Sequence, residues 1–88
     1  MAMDLARIRK ELTEKFSGNL YKCRMKQGHS QQKLADLIGV TDKQISNFET
    51  ARSLPSLPTL YGICRLYDVS PNDMLGYDGR PDSELNSD

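Results

Sequence analysis

Positions 42 to 50 of the 88-residue chain read D-K-Q-I-S-N-F-E-T. A helix advances 100° per residue, so a helix here turns Ile45, Phe48 and Glu49 to one side. Lys43 and Asn47 then point the opposite way, flanked by Ser46 and Thr50, with Asp42 and Gln44 on the shoulders of the first turn. These are groups that hydrogen-bond rather than react. An ammonium such as that of Lys43 can donate to guanine O6 and N7, and the carboxamides of Asn47 and Gln44 can pair with adenine. The Asp42 carboxylate can accept from a cytosine amine or simply complement the helix dipole, and it repels phosphate. Thr41 and Gln44 also have capping-box spacing, which competes for the Gln44 side chain. An exposed polar stripe alone is equally a solvated helix face, so the surrounding elements must decide between the two readings.

Covalent chemistry has little to work with. No serine or cysteine is paired with a plausible base and an orienting group, and there is no phosphate loop. Two cysteines, Cys23 and Cys64, and one histidine, His29, are scattered too widely for a zinc site. Each cysteine falls inside an apolar helical pattern and is expected to be a reduced core residue rather than half of a disulfide. The expectation is a protein without enzymatic activity, metal, cofactor or small-molecule ligand. No apolar run approaches membrane-spanning length, and charge begins at Asp4, so neither an anchor nor a signal peptide is expected.

The segment just before the polar stripe supplies its setting. In QKLADLIGVTDKQISNFE, two short helices joined by three or four residues must cross steeply and touch near the turn. Ala35 is small where they approach, Gly39 permits the backbone angle of a tight turn, and Ile45 is apolar to plug the angle between them. This is the spacing of a helix-turn-helix unit beginning at Gln31. In such a unit the N-terminal part of the second helix can face base edges in a major groove.

Around this unit the pattern is helical nearly throughout, with no alternating strand segment and no repeat. Leu5, Ile8, Leu12 and Phe16 form one stripe of a first helix from about Asp4 to Phe16. Ser17-Gly18-Asn19 weakens helix propensity, so the helix either breaks there or continues to Gln27. Gly28 ends that stretch and Ser30 caps a helix over about 31–38. Thr41 starts the next, Ser56 caps a helix over 57–67, and Ser70-Pro71 opens a short last one ending near Leu75-Gly76. Residues 76–88 carry no apolar period and are expected to be an acidic, disordered tail. Net charge is zero, but it is segregated. Residues 1–52 hold ten Lys/Arg against six Asp/Glu, whereas residues 53–88 hold two against six. The local face, not the total, governs phosphate affinity.

Over about residues 16–75 the chain resembles the Cro- and phage-repressor-like helix-turn-helix family of the xenobiotic-response-element type. The resemblance rests on N-L-x-x-C-R at 19–24, G-H-S-Q-x-x-L-A at 28–35, L-I-G-V at 37–40, I-S-x-F-E at 45–49, P-S-L-x-T-L at 55–60 and Y-D-V-S-P at 67–71. It implies an all-α, five-helix repressor-like domain over 16–75, preceded by a helical extension over 1–15. It also implies base reading by Asp42, Lys43, Gln44, Ser46 and Asn47, and phosphate contact by Gln31 and Arg52, with Lys33 and Thr50 beside them and Lys26 a weaker candidate. Arg24 and Glu49 match a pair that ties the first helix to the recognition helix inside the fold. Two positions depart from the family pattern. Thr50-Ala51 stands where Asn-Gly is common, so the exit turn is expected to differ, and His29 stands where an apolar residue is usual and is expected to be a semi-exposed packing group.

Two functions follow as expectations. The first is a cytoplasmic, bacterial or phage-encoded transcriptional regulator, a repressor. It would bind a near-palindromic double-stranded operator as a homodimer, with Leu54, Leu57 and the last helix at the interface. The second is a protein-interaction module, antitoxin- or coactivator-like, using the same fold. The stripe of Leu5, Ile8 and Leu12 serves either its own core or a second subunit.

Overall fold

The computed structural model describes residues 2–77. Five helices follow one another: α1 (Leu5–Lys26), α2 (Gln31–Ile38), α3 (Asp42–Glu49), α4 (Leu57–Tyr67) and α5 (Pro71–Leu75). Among the described residues there is no strand, and the architecture is all-α. The acidic-tail expectation falls mostly on residues 78–88, which lie outside the described residues.

Local chemistry sets most of the helix ends. Asp4, Ser30, Thr41, Ser56 and Ser70 each stand in extended backbone and accept from amides of the first turn. A cap of this kind is worth about 1 kcal/mol, because it satisfies an amide that the helix itself leaves unpaired. Pro58 and Pro71 sit in first turns, where a missing donor costs nothing. Gly39 closes α2 in the left-handed region at φ 77°, and its amide and that of Val40 both donate to the Ala35 carbonyl, at 2.9 and 3.0 Å. This turn brings α2 and α3 together.

The break at Ser17-Gly18-Asn19 does not occur. α1 is one helix of 22 residues, about 33 Å long at 1.5 Å per residue. Tertiary bonds override the weak local propensity: Ser17 Oγ donates to the Glu49 carbonyl at 2.7 Å, and Asn19 Nδ2 donates to the Asp73 and Met74 carbonyls at 3.0 and 3.1 Å. The two polar side chains therefore join α1 to α3 and to α5. The limit at residues 15–16 falls inside this continuous helix, so the extension and the domain share one rod.

The core draws on every helix: Phe16 and Leu20 from α1, Leu34 and Ala35 from α2, Ile45 and Phe48 from α3, Ile63 and Cys64 from α4, and Met74 from α5. Phe16 meets Phe48 edge to face, with ring centroids 5.9 Å apart. Each fully buried large apolar side chain contributes about 1.5–3 kcal/mol. The stripe of α1 reaches this cluster only at Phe16. Leu5 is 76% exposed, and Ile8 and Leu12 are half-buried without joining the core. The first two turns of α1, residues 5–11, thus carry no buried side chain, and burial along the helix begins at Thr13.

Cys64 is buried, Cys23 is half-buried, and both are free thiols. Burial pushes each thiol above its ordinary value, with the Lys26 charge opposing it at Cys23.

Candidate nucleic-acid interface

α3 is held on its inner side and open on its outer side. Ile45 and Phe48 are buried, whereas Asp42, Lys43 and Gln44 are exposed and Ser46 and Asn47 are half-exposed. The outer face therefore carries a carboxylate, an ammonium, two carboxamides and a hydroxyl within six residues.

The grip on α3 is polar as well as apolar. Arg24 Nε donates to Glu49 Oε2 at 2.6 Å and Arg24 Nη2 to Glu49 Oε1 at 2.8 Å, a two-point ion pair whose side chains are 9% and 5% exposed. The third edge of the guanidinium donates to the His29 carbonyl at 2.8 Å, and its face lies 5.4 Å from the centroid of Tyr21. The hydrogen bonds to Glu49 raise the arginine's already high pKa, with burial opposing them. Ser17 holds the Glu49 backbone from the other side. The C-terminal end of α3 is thus fixed at both its carboxylate and its carbonyl, and Glu49 has no part in the outer face.

Two glutamines expected at the ligand face are already engaged. Gln31 is half-buried at the start of α2 and donates through Nε2 to Glu49 Oε1 at 3.0 Å. One carboxamide hydrogen and the oxygen remain for other partners. Ahead of the first intrahelical bond, from Leu34 to the Ser30 carbonyl, the amides of Gln31 and Gln32 point out of the helix as anion donors. Gln44 completes a capping box. Its Oε1 accepts from the Thr41 amide at 2.9 Å and lies 3.2 Å from the Thr41 hydroxyl, while its own amide donates to Thr41 Oγ1 at 3.1 Å. The carboxamide N–H2 group can still donate, but two-point pairing with adenine would require the cap to open. Thr50 is engaged too, since its hydroxyl donates to the Ser46 carbonyl at 2.8 Å. Its single proton is spent within α3, and what it still offers is oxygen lone pairs, which do not suit a phosphate.

Lys33 and Arg52 are exposed. Arg52 follows directly from the exit turn, where the left-handed conformation forms although no glycine is present to favour it. Thr50 stays near the helical region, and Ala51 takes φ 60°, the left-handed conformation that costs an alanine about 1–2 kcal/mol. The turn is held by amides that reach back into α3: Ala51 to the Phe48 carbonyl at 3.3 Å, and Arg52 and Ser53 to the Asn47 carbonyl at 2.9 and 3.3 Å. His29 packs at half burial, with Nδ1 3.1 Å from the Tyr67 hydroxyl and the rings 5.7 Å apart. Sequence patterning missed the Gln31–Glu49, Ser17–Glu49 and His29–Tyr67 contacts, because each joins residues from separate elements.

An outward polar face on a short helix, crossed by a second short helix and tied to a third by a buried ion pair, defines a helix-turn-helix unit. Residues 20–74 match the family model described as Helix-turn-helix, and the chain belongs to that family, of the Cro- and phage-repressor-like type. Two relatives come from Bacillus subtilis (strain 168). The SPbeta prophage-derived uncharacterized HTH-type transcriptional regulator YonR is 35% identical over 60 residues, covering 68% of this chain and 56% of the relative. The uncharacterized HTH-type transcriptional regulator YqaE is 37% identical over 60 residues, covering 68% of this chain and 52% of the relative. The chain thus spans about half the length of the curated relatives it matches. Among the described residues no helix is long and apolar enough to cross a membrane.

Proposed function

We propose that this chain is a sequence-specific, double-stranded-DNA-binding transcriptional repressor that acts in the cytoplasm and lays α3 in the major groove. The observation that carries this reading is the rigid mounting of α3. Glu49 is pinned by Arg24, Gln31 and Ser17, while Lys43, Asn47 and the free N–H2 of Gln44 face outward from the same helix. A reading helix must be held this way, because base-edge recognition tolerates little change in position. Asp42, at the helix entrance, accepts from a cytosine amine, and Ser46 adds a hydroxyl. The α2 amides, Gln31, Lys33 and Arg52 set the register on the backbone phosphates. Thr50 contributes there only if its hydroxyl turns away from the Ser46 carbonyl. That two relatives are named as HTH-type transcriptional regulators favours this reading over a module that binds only protein.

A single unit of this size buries little surface on DNA, so the specific complex is that of a homodimer on a near-palindrome, with half-sites about 34 Å apart. The face available for pairing surrounds Leu57, which is 80% exposed beside Leu60, Tyr61, Pro71 and Leu75. Leu54 instead packs partly against its own core. Selection of bound duplexes from a random pool at two salt concentrations tests the reading. Enrichment of a palindrome at the higher salt supports it; recovery of unselected sequence at both overturns it.

A further inference from the structure

The N-terminal half of α1 is charged unevenly and lies beside the exit turn of α3. An open groove runs between Ala6, Arg9, Lys10 and Thr13 on one wall and Arg52 and Ser53 on the other. Its volume is about 340 Å³, and Ala51 and Glu14 complete its lining. Three of its side chains are cationic and one is anionic, so the groove is net basic. The Thr13 hydroxyl donates to the Arg9 carbonyl and fixes no charge in the groove.

Two relationships connect this groove to the reading face. The Arg52 amide donates to the carbonyl of Asn47, so the backbone that carries Arg52 is tied to the C-terminal turn of α3, the helix that presents the reading face. The left-handed turn at Ala51 places Arg52 opposite Arg9 and Lys10 rather than further along the axis of α3. In addition, the family match begins at residue 20, so Arg9, Lys10 and Thr13 lie outside the segment that the family shares. The rod that carries them is nonetheless continuous with the core through Phe16 and Leu20. At 1.5 Å per residue, Arg9 stands about 10 Å beyond Phe16, roughly the span of three nucleotide steps of one strand at 3.4 Å each.

We propose that this groove is a second backbone clamp, in which Arg9 and Lys10 of α1 join Arg52 around phosphodiesters of the duplex strand flanking the half-site. This rests on the DNA-binding reading above and extends the footprint beyond the helix-turn-helix unit. The clamp carries no base information, so it adds affinity and salt dependence without changing which sequence is chosen. Glu14 weakens it by like-charge repulsion with phosphate, and the net zero charge of the chain leaves such local pairs to supply the attraction.

The test is a fluorescence-anisotropy titration of a selected duplex with the full chain over a series of salt concentrations. Each phosphate contact contributes about 0.9 to the slope of log affinity against log salt. Arg9→Gln with Lys10→Gln is expected to flatten that slope by about 1–2 and to weaken binding about tenfold at 0.1 M salt, with the same sequence preferred. Glu14→Gln is expected to tighten binding severalfold, an opposite effect that no loss of folding can imitate. Lys22→Gln removes an equal charge from α1 about 18 Å beyond Lys10 and is expected to leave the slope unchanged. A slope unaltered in the double variant, or altered as much by Lys22→Gln as by Lys10→Gln alone, overturns the clamp while leaving the reading face intact. Absence of duplex binding by the unaltered chain overturns both readings.

Discussion

Arg24 and Glu49 meet edge to edge across 25 residues of chain, at 2.6 and 2.8 Å, almost wholly out of solvent. Each partner needs the other, since a buried charge left alone costs far more than the pair gains over an apolar substitute. Glu49 carries a further load as acceptor for Gln31. Removal of either partner by Arg24→Met or Glu49→Met is expected to cost about 3–5 kcal/mol. The double replacement Arg24→Met with Glu49→Met is expected to recover part of that loss. Urea denaturation of the three variants measures the coupling; equal and additive losses would contradict it.

The turn after α3 leads to a second prediction. Ala51 sits at φ 60° with only its methyl group to oppose that backbone. Ala51→Gly removes the opposition and is expected to raise stability by up to about 1 kcal/mol, the gain being reduced by the greater freedom of glycine in the unfolded chain. Ala51→Val is expected to lower stability, because a β-branched residue suits the left-handed region least. The order of urea midpoints, glycine above alanine above valine, checks both.

A third prediction concerns alkaline pH. Burial raises the pKa of Cys23 and Cys64 above the ordinary thiol value of 9.0, and that of Tyr67 above 10.0. An acid whose folded pKa is raised is neutral in both states below its unfolded value. As pH climbs past that value the unfolded chain ionises first, and stability falls until the folded pKa is reached. The urea midpoint is therefore expected to be insensitive to these three groups between pH 6 and 8 and to decline from about pH 9 upward. Cys64→Ala is expected to make that decline shallower. For the same reason both thiols are expected to react slowly with iodoacetamide at neutral pH.

The boundaries of α2 to α5 were legible in the sequence because caps are local: Ser30, Thr41, Ser56 and Ser70 each bond an amide within three residues. The continuity of α1 was not, because the side chains of Ser17 and Asn19 find their partners in α3 and α5, more than thirty residues away. Ala51 follows the same rule. Its residue type argues against a left-handed turn, and the turn forms because the amides of Arg52 and Ser53 both reach the Asn47 carbonyl. At the candidate site the residue types on the outer face of α3 follow from periodicity alone. Availability follows only in part: the capping-box spacing already marked the Gln44 oxygen as engaged, whereas the Thr50 proton, and beside the face one N–H of the Gln31 carboxamide, are taken by neighbours whose approach depends on backbone geometry. The groove at Arg9 and Lys10 was invisible for a related reason, since only a continuous α1 brings those residues beside Arg52.

The division of labour along α3 leads to the fourth prediction. Lys43 and Asn47 point outward without the capping duty that occupies Gln44. Lys43→Ala with Asn47→Ala is expected to leave the fold intact and to relax sequence choice, each lost base contact costing about 1–3 kcal/mol against the preferred site and much less against random duplex. Gln44→Glu is expected to act differently. A glutamate keeps the oxygen that accepts from Thr41 and suits the positive end of the helix, so stability should hold or rise. The same carboxylate beside Asp42 turns a second negative charge toward DNA, so binding should weaken on every sequence. Competition binding with selected and random duplexes, run beside urea denaturation, separates the two effects. If the double variant still prefers the selected site by the same ratio as the unaltered chain, the reading face lies elsewhere on the molecule.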